Sequence, residues 1–303
     1  MESLYLKTLI EVVAGGSFSR AAETLCISQS AVSRRIRFLE EQYGFPLIDR
    51  SNPSPQPTAA GQIVIEKARQ ILSLENELLR GLDSLKGKGE FVFCCTPAFG
   101  SSYLPQILHT FMQKNSPFVD VKFVFDTPEQ IVKGLQRGLF DLAVIEHCDH
   151  FDLQEFSVIP LPGDEMVFVC SCAMGLPAGE VDLEMLLGKP LLIRKEGACS
   201  RTLLEWNLAR IGLDLSHFPN LAVVDDIQVA LNAVLHGGTI SFLSYSVVRE
   251  QVKAGALTVH RVRDFQHMRK RTLVLGDGAD HCPVLTEFRN AVMGAFEDMG
   301  LHA

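Results

Sequence analysis

The chain has 303 residues, which is long enough for about two domains with separate hydrophobic cores. Hydrophobic residues make up 47% of it and charged residues 21%, values of globular proteins that exclude extensive disorder. The first residues, Met1-Glu2-Ser3, contain no basic segment, and no uninterrupted apolar run reaches the roughly 18 residues of a membrane helix. We therefore expect a cytoplasmic protein that is neither secreted nor inserted into a membrane.

The net charge of −8 is unevenly distributed along the chain. Residues 1–90 hold 11 basic and 11 acidic side chains, so the whole negative balance falls in residues 91–303. Within the neutral part, residues 18–38 carry a single acid, Glu23, and four cations, Arg20, Arg34, Arg35 and Arg37. A local basic patch of this kind is typical of a surface that contacts nucleic acid.

The apolar spacing of the N-terminal region predicts three short helices. The first covers residues 3–14, Ser17 or Ser19 can cap the second, and Ser28 can cap a third that runs to about Tyr43. The exposed side of the third helix carries the polar residues Gln29, Ser30, Ser33, Arg34 and Arg37. This is the pattern of a helix-turn-helix, whose second helix enters the major groove of DNA. An ordinary three-helix bundle with a solvated polar face is the alternative that the pattern leaves open.

A proline-rich stretch and a long helix follow. Residues 45–57 have the composition of an exposed hairpin or wing, and Thr58 can cap a helix from Ala59 to about Leu85. That helix has an apolar seam at a spacing near 3.5 residues, formed by Val64, Ala68, Ile71, Leu78, Leu82 and Leu85. We expect the seam to pair with a second copy of the chain, the alternative being that it packs only on its own domain. Gly87-Lys88-Gly89 then forms a linker.

The remainder of the chain alternates between strand and helix patterns. Short apolar runs predict strands at 91–95, 119–125, 141–145, 166–170, 190–193, 221–224, 239–243 and 272–275. Helical stripes lie between many of them, notably at 128–137, 202–211, 227–235 and 283–296. This is an α/β pattern of mostly parallel sheets covered by helices, in which ligands bind beyond the carboxyl ends of the strands.

Several sequence motifs resemble those of one known family. Residues 17–22 (SFSRAA), 28–33 (SQSAVS) and 58–61 (TAAG) resemble, in order and spacing, the N-terminal signature of LysR-type transcriptional regulators. Residues 138–143 (GLFDLA), Glu196-Gly197 and 237–240 (GGTI) are similar to pieces of the same family's C-terminal half. The resemblance covers the whole chain and favours the helix-turn-helix over the plain bundle.

The resemblance implies an α/β protein with an N-terminal all-α winged helix-turn-helix over residues 1–58 and a dimerising linker helix over 59–89. An effector domain like a type 2 periplasmic binding protein follows at 90–303, with lobe one at 90–162 and 267–303 and lobe two at 163–266. It also implies a sequence-specific transcriptional regulator that binds double-stranded DNA as a dimer or tetramer. The expected DNA contacts are Arg20, Gln29, Ser30, Ser33, Arg34, Arg37 and Arg50, and Arg50 stands beside a wing, residues 51–57, that carries no charge.

By the same resemblance, a small-molecule inducer binds between the two lobes. Hydroxyls after strands and at helix starts are its expected ligands on lobe one, namely Thr96, Ser101, Ser102 and Thr127. On lobe two we expect Gly197, Cys199, Ser200 and Arg201, where a helix start and a cation favour an anionic ligand. Each hydroxyl could instead serve only as a helix cap, and Ala98 occupies a position where relatives often carry a ligand-binding Ser or Thr.

Cys199 is similar in its setting to the reactive cysteine of peroxide-sensing members of the family. Those proteins pair it with a second cysteine about nine residues later, and position 208 here is Leu208. We therefore interpret Cys199 as a residue that lines the pocket, with redox sensing and inert packing as the alternatives. The other cysteines fit reduced thiols in a cytoplasmic protein, and they are Cys26, Cys94, Cys95, Cys148, Cys170, Cys172 and Cys282.

An enzyme of the same fold is the competing hypothesis, with Cys199 as its nucleophile. The chain lacks a Gly-x-Ser-x-Gly elbow, a phosphate-binding Gly-Lys-Ser/Thr loop, a His-Glu-x-x-His pair and a dinucleotide fingerprint. His147, Cys148, Asp149 and His150 could hold a metal ion in principle, but a polar loop is the simpler interpretation. We expect no enzymatic activity, no cofactor and no metal.

Overall fold

The computed structural model describes residues 2–51, 54–85, 89–114, 119–148, 151–276 and 282–297. The N-terminal region contains the three predicted helices, a two-stranded antiparallel wing and the long helix. Their bounds are α1 Glu2–Gly15, α2 Phe18–Thr24, α3 Gln29–Tyr43, β1 Ile48–Asp49, β2 Gln56–Pro57 and α4 Ala59–Leu85. Residues 52 and 53 of the wing and residues 86–88 of the linker lie outside the described residues.

Serine caps begin the two helices of the helix-turn-helix. Ser17 Oγ accepts a hydrogen bond from the backbone N–H of Arg20 at 3.4 Å, and Ser28 Oγ accepts one from that of Ala31 at 3.2 Å. Ser17, rather than Ser19, is therefore the cap of α2. Gly44 ends α3 with a φ of 74°, a left-handed conformation that glycine adopts without steric cost. The local chemistry of the sequence thus sets where α3, the second helix of the motif, begins and ends.

One apolar core joins the three helices, the wing and the start of α4. Leu9, Ile36 and Leu39 are fully buried in it, and Ala68 and Leu72 of α4 close it from one side. A Cβ at Gly61 would lie 2.0 Å from the carbonyl oxygen of Leu47. Only glycine therefore allows α4 to pass this close to the chain that enters the wing.

The apolar seam of α4 is divided between two environments. Val64 and Ala68 pack against the N-terminal core. For these two residues the alternative prediction holds, namely that the seam packs on its own domain. Ile71, Leu78 and Leu82 remain 48%, 63% and 47% exposed, and Leu74 beside them is 63% exposed. The side chain of Leu85 lies outside the part that the structure describes. We call the exposed set Ile71, Leu74, Leu78 and Leu82 the α4 stripe.

The C-terminal region forms one continuous mixed sheet of ten strands among the described residues. The strands are β3 Gly89–Cys95, β4 Val119–Phe125, β5 Leu142–His147, β6 Ser157–Ser171, β7 Gly179–Val181, β8 Leu191–Ile193, β9 Leu221–Val223, β10 Ile240–Ser244, β11 Leu257–Val262 and β12 Met268–Leu275. The helices are α5 Pro97–Lys114, α6 Pro128–Gln136, α7 Glu184–Leu187, α8 Cys199–Arg210, α9 Ile227–His236, α10 Tyr245–Lys253 and α11 Pro283–Glu297. Single 3-10 turns lie at Cys172–Met174 and Leu215–His217.

The long strand β6 belongs to both halves of this sheet. Its first part pairs with β12, up to Glu165 opposite Met268, and its second part pairs with β10, from Met166 opposite Ser244. The sheet order is β4-β3-β5-β12-β6-β10-β8-β9, with β11 also pairing β6. The two halves are the lobes, and the chain crosses between them through β6 and just before β12.

Two expectations about the sheet need correction. The apolar run at 166–170 is the second part of the 15-residue strand β6, not a separate strand. The strands are also less uniformly parallel than predicted, because β12 pairs antiparallel with both β5 and β6, and β10 and β11 pair antiparallel with β6. A chain that crosses between lobes and returns must run in opposite directions at the crossing. The helices α7 and α10 and the strands β7 and β11 were not predicted.

Each lobe buries apolar side chains on both faces of its part of the sheet. In lobe one, α5 and α11 cover one face around Phe93 and Phe288, while α6 covers the other around Ile131. Lobe two has cores around Phe168 and around Val234. None of the helices in the described ranges is both long and apolar enough to cross a membrane.

Candidate DNA-reading helix and interlobe cleft

The outer face of α3 presents the polar residues that the sequence singled out. Gln29, Ser30, Arg34 and Arg37 are exposed and Ser33 is half-buried, and Arg20 is exposed on the neighbouring α2. The buried face of the same helix carries Val32, Ile36 and Leu39. Helix periodicity therefore separates the core residues from the polar ones and places the polar ones together on one surface.

Arg35 is an exception within the basic patch. Its Nη1 donates a hydrogen bond to Thr8 Oγ1 at 3.1 Å, and its guanidinium lies 5.8 Å from the centroid of the Tyr5 ring. Arg35 thus ties α3 to α1 and does not belong to the outer face. The sequence alone did not distinguish it from Arg34 or Arg37.

Arg50 occupies the base of the wing with a side chain that is half exposed. Its Nη2 donates to Glu40 Oε2 at 3.2 Å, and its guanidinium lies 5.5 Å from the centroid of the Phe18 ring. Glu40 Oε1 also accepts the backbone N–H of Leu47 at 2.9 Å. Arg50 and Glu40 together therefore fasten the wing to α3, which is a role the sequence analysis did not foresee.

A cavity of about 520 Å³ lies between the two lobes of the C-terminal region. Of the predicted effector ligands, those on its wall are Thr96, Ser101, Thr127, Cys199 and Ser200. The segments that bring them there are the carboxyl ends of β3 and β4 on lobe one and the start of α8 on lobe two. This is the edge at which ligands bind in sheets of this kind.

Three predicted ligands do not lie on the wall of this cavity. Ser102 Oγ accepts a hydrogen bond from Ser246 Oγ at 3.1 Å. Arg201 Nε donates to Glu205 Oε1 at 2.8 Å, because the two residues are one helical turn apart on α8. Gly197, with a φ of 78°, lines a smaller neighbouring cavity of about 50 Å³ instead.

Arg194 supplies the cation that the sequence analysis assigned to Arg201. Its side chain is 7% exposed and lies on the cavity wall, directly after β8. Its Nη2 is 3.7 Å from Asp225 Oδ1, and its buried Nε has no hydrogen-bond partner among the described residues. Burial lowers the pKa of Arg194, although the charges of Asp225 and Asp226 oppose that effect. The rule that ligands bind at strand ends could have drawn attention to this residue.

The carboxylates around the cavity are engaged with the protein. Asp226 Oδ1 accepts the N–H groups of Gln228 at 2.7 Å and of Val229 at 3.0 Å, and so caps α9. Asp126 Oδ1 accepts the N–H of Thr127 at 2.8 Å. By contrast, neither α6 nor α8 has a side-chain cap at its N-terminus among the described residues. Helix N-termini without such caps offer N–H groups and a partial positive charge to an anion.

A buried ionic cluster joins the lobes, and two of its members, Glu146 and Arg269, lie on the wall of the cavity. Arg271 Nη2 lies 2.9 Å from Glu146 Oε1 and 2.9 Å from Asp164 Oδ1, and Arg269 Nη2 lies 2.8 Å from Glu146 Oε2 and 2.7 Å from Asp164 Oδ2. Burial would raise the pKa of Asp164, but Arg269 and Arg271 outweigh it and lower that pKa. Thr96 Oγ1 also donates to Glu146 Oε2 at 3.0 Å. No sequence spacing indicated this cluster, since its members come from three strands.

Cys199 has a cysteine neighbour on the opposite lobe. It is the first residue of α8, and its Sγ lies 3.8 Å from the Sγ of Cys148, which directly follows β5. The pKa of the Cys199 thiol is lowered to about 7, first by the hydrogen bond with Cys148 and then, against the effect of burial, by Arg269. Asp149 and His150 of the same loop lie outside the described residues, and no metal-binding cluster occurs in the ranges the structure covers.

Two ion pairs join the N-terminal region to lobe one. Arg137 Nη2, at the end of α6, lies 3.1 Å from Glu11 Oε2 of α1, and Arg69 Nη1 of α4 lies 3.1 Å from Glu155 Oε2. Burial raises the pKa of Glu11 while the charge of Arg137 opposes it. The helix α6 therefore begins at the cavity and ends against the helix-turn-helix region.

A helix-turn-helix with an exposed polar second helix, joined to a two-lobed domain with a central cavity, defines a class of protein: DNA-binding regulators that respond to a small molecule. Comparison with known proteins specifies the family. Residues 5–62 match the model of the bacterial regulatory helix-turn-helix protein, lysR family, and residues 86–297 match that of the LysR substrate binding domain. The chain belongs to the LysR family of transcriptional regulators, which are not enzymes.

Relatives and solved structures cover nearly the whole chain. It is 26% identical over 292 residues to a "Probable RuBisCO transcriptional regulator" of Emiliania huxleyi, an alignment that covers 95% of this chain and 93% of that protein. Full-length LysG of Corynebacterium glutamicum, solved with the effector Arg bound, has a TM-score of 0.63 at 18% identity and covers 98% of this chain and 99% of its own. ArgP of Mycobacterium tuberculosis has a TM-score of 0.61 at 19% identity, covering 96% of each chain. These likenesses show that the chain shares its fold with these structures over nearly its whole length.

Proposed function

We propose that a small anion binds in the interlobe cavity, with Arg194 as its principal cationic contact, and thereby changes how α3 binds double-stranded DNA. The proposal rests mainly on the buried side chain of Arg194, whose Nε has no hydrogen-bond partner among the described residues. Leaving a buried donor unsatisfied costs about 1–3 kcal/mol, and a ligand that accepts its hydrogen bond would recover that free energy.

The other walls of the cavity fit the same ligand. The N-termini of α6 and α8 face it without side-chain caps, and Ser101, Thr127 and Ser200 add hydroxyls, whereas the Thr96 hydroxyl donates its hydrogen to Glu146. Ser101 Oγ accepts a hydrogen bond from Gln228 Nε2 of lobe two, so the ligand would lie beside a contact that joins the lobes. LysG, a protein of similar fold, was solved with a small effector bound. A carboxylate or a phosphate ester with a few carbon atoms has a charge and a size that fit this cavity.

On the DNA side, we propose that Arg20, Gln29, Ser30, Ser33, Arg34 and Arg37 contact the operator. They share one exposed surface, on α3 and the neighbouring α2. Arg50 is placed at the edge of this surface, where its exposed half can reach a phosphate while Glu40 holds it. The Gln and Arg side chains suit base edges, and the hydroxyls suit phosphates.

We further propose a homo-oligomer, at least a dimer, that assembles in the cytoplasm through the α4 stripe. Its four apolar side chains follow a 3-4-4 spacing and are exposed in the single chain. A dimer would place two copies of α3 on two operator half-sites. The domain limits proposed from the sequence, 1–58, 59–89 and 90–303, correspond to these three tasks.

The route from ligand to DNA would run along α6. Thr127 and Pro128 line the cavity at its start, and Arg137 pairs with Glu11 of α1 at its end. An anion that binds one lobe arrangement more tightly shifts the population toward it. The shift would move the end of α6 relative to α1 and so alter the DNA-binding region.

The test compares Arg194→Met with Arg201→Met, a matched loss of one cation on the same lobe. A panel of small carboxylates and phosphate esters is titrated calorimetrically into the full-length protein to identify a binder. For that compound we expect about 30-fold or more weaker binding by Arg194→Met, since removal of one member of a buried charge pair costs about 2–5 kcal/mol. Arg201→Met should bind the same compound with an affinity within a few fold of that of the native protein. Unchanged binding by Arg194→Met would overturn the proposal.

A further inference from the structure

Two thiols from different lobes meet beside the interlobe cavity. Cys148 follows β5 of lobe one, Cys199 begins α8 of lobe two, and their Sγ atoms are 3.8 Å apart. Both carry thiols that are not joined in a disulfide in the structure. The two positions are 51 residues apart in sequence, so only the packing of the lobes brings them together.

The surroundings of Cys199 favour its thiolate. The residue stands at the N-terminus of the 12-residue helix α8, and Arg269 adds a positive charge nearby. The hydrogen bond from Cys148 first, and then Arg269, lower the pKa of Cys199 to about 7 against the effect of burial. Cys94 provides a contrast, because burial raises the pKa of that thiol to about 12. A thiolate with a pKa near neutral pH is a good attacking group in disulfide exchange.

Small reagents can reach this pair. Cys199 lies on the wall of the cavity of about 520 Å³, and both thiols line the adjoining cavity of about 50 Å³. The larger space accommodates a disulfide of low molecular weight at the sulfur that carries the negative charge. Cys148 is then in position to attack the mixed disulfide from the opposite lobe.

We infer that Cys148 and Cys199 form an interlobe disulfide by exchange with a low-molecular-weight disulfide, R–S–S–R, and that this bond fixes the lobes in one arrangement. The Cys199 thiolate attacks one sulfur of R–S–S–R, forms a mixed disulfide and releases R–S⁻. The Cys148 thiol then loses its proton and attacks the Cys199 sulfur, releasing a second R–S⁻. The small disulfide is reduced to two thiols, and the protein is oxidised by two electrons.

The bond would act on the lobe arrangement that the effector is proposed to shift. A disulfide requires the sulfur atoms to approach from 3.8 Å to about 2.05 Å, so the lobes near Cys148 and Cys199 must remain close. Opening of the cavity at this edge would then be prevented. Oxidation would thus hold one lobe arrangement whether or not an effector is bound.

The first experiment maps the products of oxidation in the full-length protein. Native protein is incubated with oxidised glutathione, remaining thiols are blocked with N-ethylmaleimide, and unreduced proteolytic peptides are analysed by mass spectrometry. We expect a Cys148–Cys199 cross-linked peptide. Cys148→Ser should accumulate a glutathione adduct on Cys199 and no cross-link, because the resolving thiol is missing, and Cys199→Ser should show neither product at Cys148.

Cys172→Ser is the matched control, since Cys172 is exposed and lies away from the cavity. It should form the cross-link as the native protein does. The inference would be overturned if native protein carried glutathione only on exposed cysteines such as Cys26 and Cys172, without a 148–199 link.

A second measurement does not depend on oxidation. The rate of Cys199 alkylation by iodoacetamide, followed by peptide mass, should reach half its maximum near pH 7, the value of the lowered pKa. Cys148→Ala should move that midpoint upward, toward the ordinary thiol value of about 8.5, because the hydrogen bond from Cys148 is the largest cause of the shift. An identical midpoint in both proteins would contradict the pairing of the thiols. Near-ultraviolet circular dichroism of the variants confirms that they are folded.

Discussion

The DNA-reading surface and the interlobe cavity are assembled in opposite ways. The residues proposed to contact DNA lie on α2 and α3, within 18 positions of one another apart from Arg50. The cavity takes its wall from the ends of β3, β4, β5 and β8 and from the starts of α5, α6, α8 and α9. The DNA-reading surface follows from the helical periodicity of a short segment of sequence. The cavity exists only after the two lobes have folded and packed against each other.

The two regions also use charge differently. The arginines on the outer face of α3 are exposed, where solvent screens them until a polyanion approaches. The arginines of the ionic cluster, Arg269 and Arg271, are buried against two carboxylates, so loss of one of them leaves uncompensated charge in the interior. The same residue type therefore serves binding in one region and stability in the other, and four substitutions test that contrast.

The largest effect is expected for Arg271→Met in the buried ionic cluster of Glu146, Asp164, Arg269 and Arg271. Removal of its charge leaves Glu146 and Asp164 with less compensation, and breaking a buried pair costs about 3–5 kcal/mol of unfolding free energy. Chemical denaturation at pH 7 measures this loss. The exposed Arg263, which pairs with Glu180 at 2.8 Å, gives the matched control, and Arg263→Met should cost under about 1 kcal/mol. Equal losses would refute the distinction between the two sites.

Acid should produce part of the same effect in the native protein. The pKa of Asp164 is lowered in the folded state, chiefly by Arg269 and Arg271 acting against burial. Its contribution to stability is therefore present above the unfolded carboxyl pKa of about 3.9 and is lost as the pH falls through the lower folded value. Arg271→Met should weaken this dependence of unfolding free energy on pH.

Arg34→Ala should weaken operator binding by about 1–3 kcal/mol if Arg34 bonds a base edge. If it contacts phosphate instead, binding to all sequences should fall and the salt slope should shrink by about one. Fluorescence anisotropy over a range of salt concentrations distinguishes the two results. Arg35→Ala, one residue away but turned toward Thr8, should reduce stability and leave the salt slope unchanged. An unaltered affinity and slope for Arg34→Ala would remove this residue from the interface.

Ile71→Asp places a charge in the α4 stripe. We expect at least about tenfold weaker self-association, equal to about 1.4 kcal/mol, because an unpaired carboxylate is costly in an apolar interface. Operator affinity should fall with it, since two half-sites need two copies of α3. Sedimentation velocity measures the oligomer, and Gln62→Asp, exposed on the opposite side of the same helix, should leave it intact. An undiminished oligomer for Ile71→Asp would exclude the stripe from the interface.

The smallest effect concerns the start of α3. Ser28→Ala removes the hydroxyl that caps the helix and should cost about 1 kcal/mol of unfolding free energy. Ser19→Ala, which removes a hydroxyl that does not cap α2, should change stability by no more than about 0.5 kcal/mol. Thermal denaturation of the two variants side by side provides the comparison. Similar losses would show that capping does not set the stability of this domain.

The sequence by itself determined the N-terminal architecture and most of its functional surface. Apolar spacing, serine caps and Gly44 specify α1, α2 and α3 within a few residues, because helix geometry depends on neighbours three and four positions away. Family resemblance extended this to the winged domain and the two-lobed effector domain, and the family matches confirm both. The same local rules could not separate Arg35 from Arg34, since the difference between them is that Arg35 packs against α1 while Arg34 remains exposed.

Tertiary structure decided the cavity. Sequence reasoning selected Arg201 as the cation, yet Glu205 one turn away engages it, while Arg194 reaches the wall from the end of β8. It also found no partner for Cys199, because Leu208 occupies the position nine residues later, whereas Cys148 approaches from the opposite lobe. Contacts of this kind depend on the register of strands far apart in the chain. That register is set by how the two lobes bury their apolar faces, and the spacing of residues within a short segment does not predict it.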